Sequence, residues 1–442
     1  MIGLAGVAFG QVIEPVKKFE PEAQALVDWL NAEALMIPED ERAAPRIQAA
    51  LDTIREARTE STVSASVKDY PLSDDVLAAI RAQRDALADA YDEIHDGAQQ
   101  RRLGTIYDLD EIGKVWWLDW PTHAIYIDTL TTRSYFAIRY CYPVLDTELL
   151  LAMHDRDADR VLSSLMGMVG LFEQRLGTPS QFATYTRVNV VVVPIGWVLG
   201  YESGLLSDEA LAMLQARLQR IDVLGLVSRG YSFGKEVQML GMREAHAEDE
   251  AVGGADDWPE PLGRVLVQIE RNNEEALEIL GSGRLDIDRF REISNDAADA
   301  IEGPSGFDRE LKQGTPDMGR LMGAWSIESR LRGMVVGLAS QRYRLANGRL
   351  PTSQAELVEA GLLDEPLESI FTALPLGIAP HGRTGEYPAF MVYDPGPDAE
   401  DGGGAGALIN RDVFRWIRGE QPLPEGDLVL FSTNAAWIVE HD

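Results

Sequence analysis

Between about Glu20 and Leu345, apolar residues return every three or four positions, and the runs begin at residues that cap helices. In SDDVLAAIRAQRDALADAYDEI, Ser73 stands at the start, and Leu77, Ile80, Leu87, Tyr91 and Ile94 fall on one stripe. In SDEALAMLQARLQRI, Ser207 can cap and Asp208 and Glu209 complement the helix dipole. Leu211, Leu214, Leu218 and Ile221 make the face to be buried. LLLAMHDRDADRVLSSLMGMVGLFEQRLG reads as two helices meeting at His154 to Asp157, with an acid capping the second. The pattern predicts helix packed on helix.

Two stretches compete with that pattern. VNVVVVPIGW, Val188 to Trp197, is β-branched, but its flanks are helical, so a buried helix bent at Pro194 is expected. WWLDWPTHAIYIDTLTTRSYFAIRYCY gathers Trp116, Trp117, Trp120, Tyr126, Tyr135, Phe136, Tyr140 and Tyr142, a band expected in the core. EAHAEDEAVGGADDWPEP, Glu244 to Pro261, is acidic and glycine-rich and reads as a long exposed loop. IEGPSGFDRELKQGTPDMG is a second break, followed by one helix from about Asp317 to Ala346. Asn347-Gly348 supplies the left-handed stop, Pro351 forbids continuation, and Ser353 with Glu356 makes a capping box for a short helix. Beyond Asn347 proline and glycine rise, and short strands are predicted at YPAFMVY, DLVLFS and AAWIVE.

The fold class that follows is mainly α. A helical array of pairs, in the manner of tetratricopeptide repeats but without a strict period, precedes a small α+β domain. A chain of 442 residues exceeds the roughly 250 at which single cores stop growing. The expected division is an apolar N-terminal segment at 1–19, a repeat-like helical domain at 20–310, and a long helix with a small antiparallel sheet at 317–442.

Charge narrows the partners. Acids number 72 against 40 bases, a formal charge of −32 that repels phosphate backbones and anionic lipid headgroups, so nucleic acid is not expected. Six bases are lysines, leaving a cationic surface that is almost all arginine. Cys141 is the one cysteine, which excludes an intramolecular disulfide and a thiolate metal cluster. The apolar start, Ile2 to Ile13, lacks a basic leader and is shorter than the about 20 residues that cross a bilayer, so no membrane span is expected in the chain as given. A first helix or strand tucked into the core is the plainer expectation. A signal or anchor removed upstream suits the segment too.

Candidate chemistry is sparse. GYSFG, Gly230 to Gly234, fits G-x-S-x-G and would make Ser232 a hydrolase nucleophile with His246 or His381 as base. That motif works at a strand-turn-helix corner, whereas IDVLGLVSR before it continues a helical region. Asp155, Asp157 and Asp159 alternate as oxygen ligands do, but an EF-hand needs a glycine next, and Arg160 follows. The six histidines include no H-x-x-x-H pair, and GGGAG lacks the lysine of a phosphate loop.

The most unusual stretch is YDPGPDAEDGGG, Tyr393 to Gly404, with Asp394, Asp398, Glu400 and Asp401 among prolines and glycines. As an EF-hand it fails, since Ala399 and Ala405 stand where the glycine and the bidentate glutamate belong. Calcium takes six to eight oxygens, which carboxylates and carbonyls on such a turn can supply. The same turn can equally be held by its own hydrogen bonds.

The order of features from the long helix onward resembles the C-terminal half of type II secretion major pseudopilins, relatives of type IV pilins. The matching positions are Tyr343, Asn347, Gly348, Pro351, Leu357, Gly361, Tyr393, Gly396, Pro397 and Asp398. The resemblance implies a calcium-binding loop that fastens a small antiparallel sheet. Asp394 stands where a serine is usual, Asp398 at the family's aspartate, and Asp401, Asn410 or Asp412 complete the oxygen shell. The long helix departs from the family's apolar one through Arg320, Arg330, Arg332, Arg342 and Arg344, and TALPLGIAP replaces the usual Asp-Pro. As a whole the chain resembles uncharacterised bacterial proteins that place a helical array before such a tail. The resemblance implies a non-enzymatic structural or interaction protein of the cell envelope, at its extracytoplasmic face, within a larger assembly containing a protein partner. A serine hydrolase and a calcium-dependent binding module are the alternatives.

Overall fold

The computed structural model describes residues 18–57, 65–100, 103–108, 123–177, 188–252, 318–384, 387–404 and 425–435, with scattered positions between 271 and 292. The chain is mainly helical, with a small three-stranded antiparallel sheet near its C-terminus. Eleven α-helices run through the described residues: α1 Glu20–Ala34, α2 Ala43–Ala57, α3 Asp74–Ala86, α4 Ala88–Gln99, α5 His123–Asp155, α6 Ala158–Gly177, α7 Asn189–Tyr201, α8 Asp208–Gln219, α9 Val223–Val252, α10 Met318–Asn347 and α11 Gln354–Glu359. The strands β1 Gly377–Thr384, β2 Tyr387–Asp394 and β3 Leu428–Ser432 lie in the order β1-β2-β3.

Local chemistry places most helix ends. The Ser207 hydroxyl accepts from the Ala210 amide at 3.2 Å, and Leu211, Leu214 and Leu218 turn inward behind it. Asp157 accepts from the Arg160 amide at 3.1 Å, so the α5–α6 turn is capped by an acid as its pattern predicts. α7 is a helix despite its valines: Val191 to Gly200 are all buried, and a segment enclosed on every side gains more from burial than β-propensity can offset. α10 ends at Asn347, followed by Gly348 at φ +70°.

One contiguous core runs from Ile47 on α2, through Leu149 on α5, Phe172 on α6 and Trp197 on α7, to Trp325 on α10 and Phe431 on β3. A smaller cluster joins α1, α5 and α9 through Val27, Ile127, Phe233 and Leu240, where the Trp29 and Phe233 rings stack 5.1 Å apart. The sheet lies against α10 at two glycines. A Cβ on Gly333 would meet Leu430 Cβ at 2.6 Å, and one on Gly337 would meet the Phe431 ring at 2.5 Å. Its far end reaches α7, where Gly200 makes room for the Thr433 carbonyl and Thr384 Oγ1 donates to that carbonyl at 2.7 Å.

Four arginines of α10 are clips along its length. Arg330 binds Asn189, and Arg332 binds Glu328 at 2.8 Å and the Glu368 carbonyl at 3.1 Å. Arg342 binds Asp208 at 2.8 Å and Gln215 at 3.2 Å; Arg344 donates to the Pro388 carbonyl at 2.9 Å. Among the described residues no helix is long and apolar enough to cross a membrane.

Several expectations are corrected. The segment from Glu244, expected as a loop, is helix as far as Val252: α9 continues through EAHAEDEAV with Glu244 and Ala247 buried, because alanine and glutamate are strong helix formers. Residues 253–261 lie outside the described residues. The Ser73 helix is two helices that meet at Leu87, and Ser73 makes no side-chain cap. The Ser353 capping box does not form: Thr352 donates to Glu356 at 2.6 Å and takes the acid the box required. β1 was not expected, since Gly377, Pro380 and Gly382 are poor strand formers; it pairs with β2 around an irregularity between Pro380 and Arg383. β2 and β3 fall at YPAFMVY and DLVLFS, while AAWIVE beyond Ala435 lies outside the described residues. Of the aromatic band, Tyr142 is buried but Tyr140 is 62% exposed, and Trp116, Trp117 and Trp120 lie outside the described residues.

Candidate functional site

Strand pairing builds the acidic loop. Asp394 closes β2 and pairs with Leu428 of β3, so the turn that leaves β2 lies beside the residues that enter β3. Gly396 at φ +82° passes so close to the Gly426 carbonyl that a Cβ would sit 2.4 Å from it, and Ala399 takes φ +58° without being glycine.

The carboxylates meet mainly backbone amides. Asp398 accepts from Glu400 at 3.2 Å and from Gly426 at 3.1 Å. Asp401 accepts from the Gly403 amide at 2.9 Å and from the Tyr393 hydroxyl at 2.8 Å. Asp427, fully buried, reaches back across the loop to accept from Gly402 at 3.2 Å and Gly404 at 2.6 Å. Its carboxyl is held above the usual range by burial and by the charges of Asp401 and Asp398, against the pull of those two amides. The Tyr393 hydroxyl is also raised, by burial and by its bond to Asp401, so it stays a donor.

Asp394 belongs to a different set of contacts. It is fully buried, and its Oδ1 accepts from the Ser369 hydroxyl at 2.7 Å and the Gly396 amide at 2.9 Å. Ser369 Oγ accepts in turn from the Phe371 and Thr372 amides at 3.0 and 3.1 Å. Burial raises the Asp394 carboxyl, and the bonds to Ser369 and Gly396, a weaker one to Ile370 and the charge of Arg332 lower it by less. The four residues predicted as ligands are thus divided. Asp398 and Asp401 lie in the turn, Asp394 faces the 367–372 segment, and Asp412, like Asn410, lies outside the described residues.

Oxygen-only donors suit a hard divalent ion such as calcium. Among the described residues no three acidic, histidine or cysteine side chains converge as a metal cage, so these residues supply at most part of a shell. Two contributors escaped the sequence reading. Asp427 was visible only as the first letter of a strand, and the glycine before it, at φ +118°, was the available signal. Ser369 carried no signal, since its partner is 25 residues away.

Ser232 sits in the middle of α9, and its hydroxyl donates to the Ser228 carbonyl one turn back at 3.0 Å. A strand-to-helix corner is not what surrounds it, so the context its motif requires is missing. His381 pairs instead with Ser432, Nδ1 to Oγ at 2.9 Å, and His246 lies on α9 itself. No protein-family model, no curated protein and no solved structure matches the chain.

Proposed function

We propose that the chain is a non-enzymatic structural or interaction protein of the bacterial cell envelope. In this reading the helix pairs form a repeat-like body that binds a partner protein, and α10 with the sheet is a pilin-like cap that orients or anchors it. The observation that carries the reading is the order of the C-terminal elements: a long helix stopped at Asn347-Gly348, a short helix, and a three-stranded antiparallel sheet clasped on the glycine face of the long helix, with an aspartate loop leaving β2. That order is what the pseudopilin resemblance implies. Assembly through α10 is disfavoured in the same reading, since Arg342, Arg344 and its glycine face are already engaged with the rest of this chain.

The reading is tested by cross-linking and native mass spectrometry of the protein extracted from envelope fractions of its source. A stoichiometric complex whose cross-links map to the helical body is the expected result. Recovery in the soluble cytoplasmic fraction, without a partner, would overturn it.

A calcium-dependent module is the second reading, favoured by the mutual repulsion of Asp427, Asp401 and Asp398, which a cation would relieve. A ligand held only by the folded protein raises its melting temperature. Calcium is expected to raise the transition and excess chelator to lower it; identical transitions would leave the loop as a hydrogen-bonded turn.

A further inference from the structure

α1 buries one stripe, Ala23, Val27, Leu30 and Ala34, and ends with Pro38 ahead, where another turn would clash. The next two residues fall off that stripe, at positions where an amphipathic helix carries polar side chains. They are Leu35 and Met36, 63% and 73% exposed. Asn31, one turn before Leu35, ties the segment Leu103 to Tyr107 to this end of the helix: its side chain donates to the Tyr107 carbonyl at 2.7 Å and accepts from the Tyr107 amide at 2.8 Å. The other end of the segment is pinned where the Leu103 carbonyl accepts from the Ala44 amide at 2.9 Å. Gly104, at φ +68°, lets it pass Arg42, where a Cβ would meet Arg42 Cγ at 2.7 Å. Ile106 is held between these pins and is 42% exposed. Single exposed apolar residues are ordinary, but a fixed group of three large ones at one end of a helix is an unpartnered apolar face.

The same corner is acidic without compensation. Glu39, Asp40 and Glu41 make a short 3-10 turn directly after it, all three exposed. The next base along the chain, Arg42, turns inward, its Nε donating to the Ile37 carbonyl at 3.1 Å. Acids elsewhere on α1 and α2 pair with arginine, Glu22 with Arg243 and Asp52 with Arg55, whereas among the described residues these three have no cationic partner within ion-pair distance. The C-terminal end of α1 adds the negative end of its dipole.

We propose that Leu35, Met36 and Ile106, fenced by Glu39, Asp40 and Glu41, dock a basic amphipathic segment of a partner protein, its apolar side chains on the three hydrophobic residues and its lysines or arginines on the acids. The surface and this partner chemistry deepen the partner-binding reading of the helical body and rest on it. Charge selects the occupant. An anionic membrane surface would meet three carboxylates at the point of insertion, and a second copy presented face to face would bring its own acidic turn, in a molecule with a formal charge of −32. A basic segment meets opposite charge at the rim, which speeds encounter and fixes register, while the apolar contact supplies the hold.

The probe is a synthetic amphipathic helix of about 18 leucines and lysines, titrated by fluorescence anisotropy against the full chain. Leu35→Ser with Met36→Ser keeps the charge and is expected to weaken binding at least about tenfold. Glu39→Gln, Asp40→Asn and Glu41→Gln together are expected to weaken it by about the same factor in about 50 mM salt, and much less in about 500 mM. All five positions are exposed, so both variants are expected to melt with the unaltered protein. No binding by the unaltered protein would overturn the proposal, as would unchanged affinity in the serine variant, because a chain this acidic attracts any polycation. Self-association or vesicle binding that is present in the unaltered protein and lost in the serine variant would also overturn it, making a second copy or a lipid surface the occupant. The partner-binding reading fails separately. Cross-links from an envelope complex that fall elsewhere on the helices would refute this surface alone, and peptide binding at 35–41 by a protein that has no envelope partner would refute that reading alone.

Discussion

Ser369→Ala is the sharpest probe of the acidic loop, because a single hydroxyl group there serves a buried carboxylate and two backbone amides at once. Ser369 is 1% exposed and Asp394 fully buried, so water does not replace what is lost. A hydrogen bond to a charged group is worth about 1.5–3 kcal/mol, and stranding the Phe371 and Thr372 amides, both of them only half-buried residues, adds about 1 kcal/mol. The expected loss is therefore roughly 3 kcal/mol at pH 8. The sign with pH follows from Asp394. Its carboxyl is raised in the folded protein, so the ionised form is the costly one, and stability from this group falls as the pH rises through its folded value. Removing Ser369, which lowers that value, raises it further, so the penalty of the substitution is largest where Asp394 is ionised and shrinks as the pH falls through its folded value. Equilibrium urea unfolding at pH 8 and 5, in the unaltered and Asp394→Asn backgrounds, measures all of this. The coupling between the two sites is expected to be about 1–2 kcal/mol at pH 8. A loss below about 0.5 kcal/mol, the size of an ordinary surface change, would refute the reasoning, as would an equal loss in both backgrounds.

Other perturbations separate the remaining interactions. Gly337→Val places a side chain where the Phe431 ring lies 2.5 Å from an added Cβ, and should cost at least the roughly 1–3 kcal/mol of core overpacking; unchanged urea unfolding would mean that the sheet does not sit against α10. Asp146→Asn removes a carboxyl whose value rises from 3.8 to about 7 on folding, so that ionisation is opposed over that interval; it should stabilise the protein by up to about 4 kcal/mol at pH 8 and by little below pH 4, read as the pH dependence of unfolding. Ser232→Ala should change stability by less than about 0.5 kcal/mol, and a serine-reactive fluorophosphonate should label both forms to the same extent; labelling lost with Ser232 would reinstate the hydrolase reading.

The helices were legible wherever apolar spacing and a cap agreed. Ser207 with Leu211, Leu214 and Leu218 is one such case, and the long helix to Asn347-Gly348 is another. Departures came where a residue's partner lies far along the chain. Glu356 reads as half of a capping box with Ser353, yet in the fold it is claimed by Thr352, with Arg349 at 2.8 Å. β1 is unreadable from propensity because the requirement that places Gly377 there is across the sheet: it stands opposite Tyr393, and a Cβ on it would lie 2.0 Å from that ring. The acidic end of α9 misled in the opposite way. Charge suggested solvent, but Glu244 is buried, and alanine with glutamate keeps the helix going to Val252.

The aspartate loop poses the same problem in its chemistry. In one dimension, a carboxylate that will chelate an ion and one that will hold a backbone turn are the same letter in the same glycine-rich setting. What distinguishes them is where the surrounding N–H groups point. Three amides within the loop, those of Glu400, Gly402 and Gly403, and a fourth from Gly404 turn toward Asp398, Asp401 and Asp427, and that donor-rich interior satisfies much of the acceptor capacity a cation would need. Asp427 decides the arrangement because it arrives 23 to 25 residues later than the amides it holds. The sheet register that sets Leu428 against Asp394 must form before that carboxylate can reach the loop, so loop geometry is a consequence of strand pairing. Any ion bound there would accordingly strengthen a turn that β2 and β3 have already placed, and its removal should loosen the loop before it loosens the sheet.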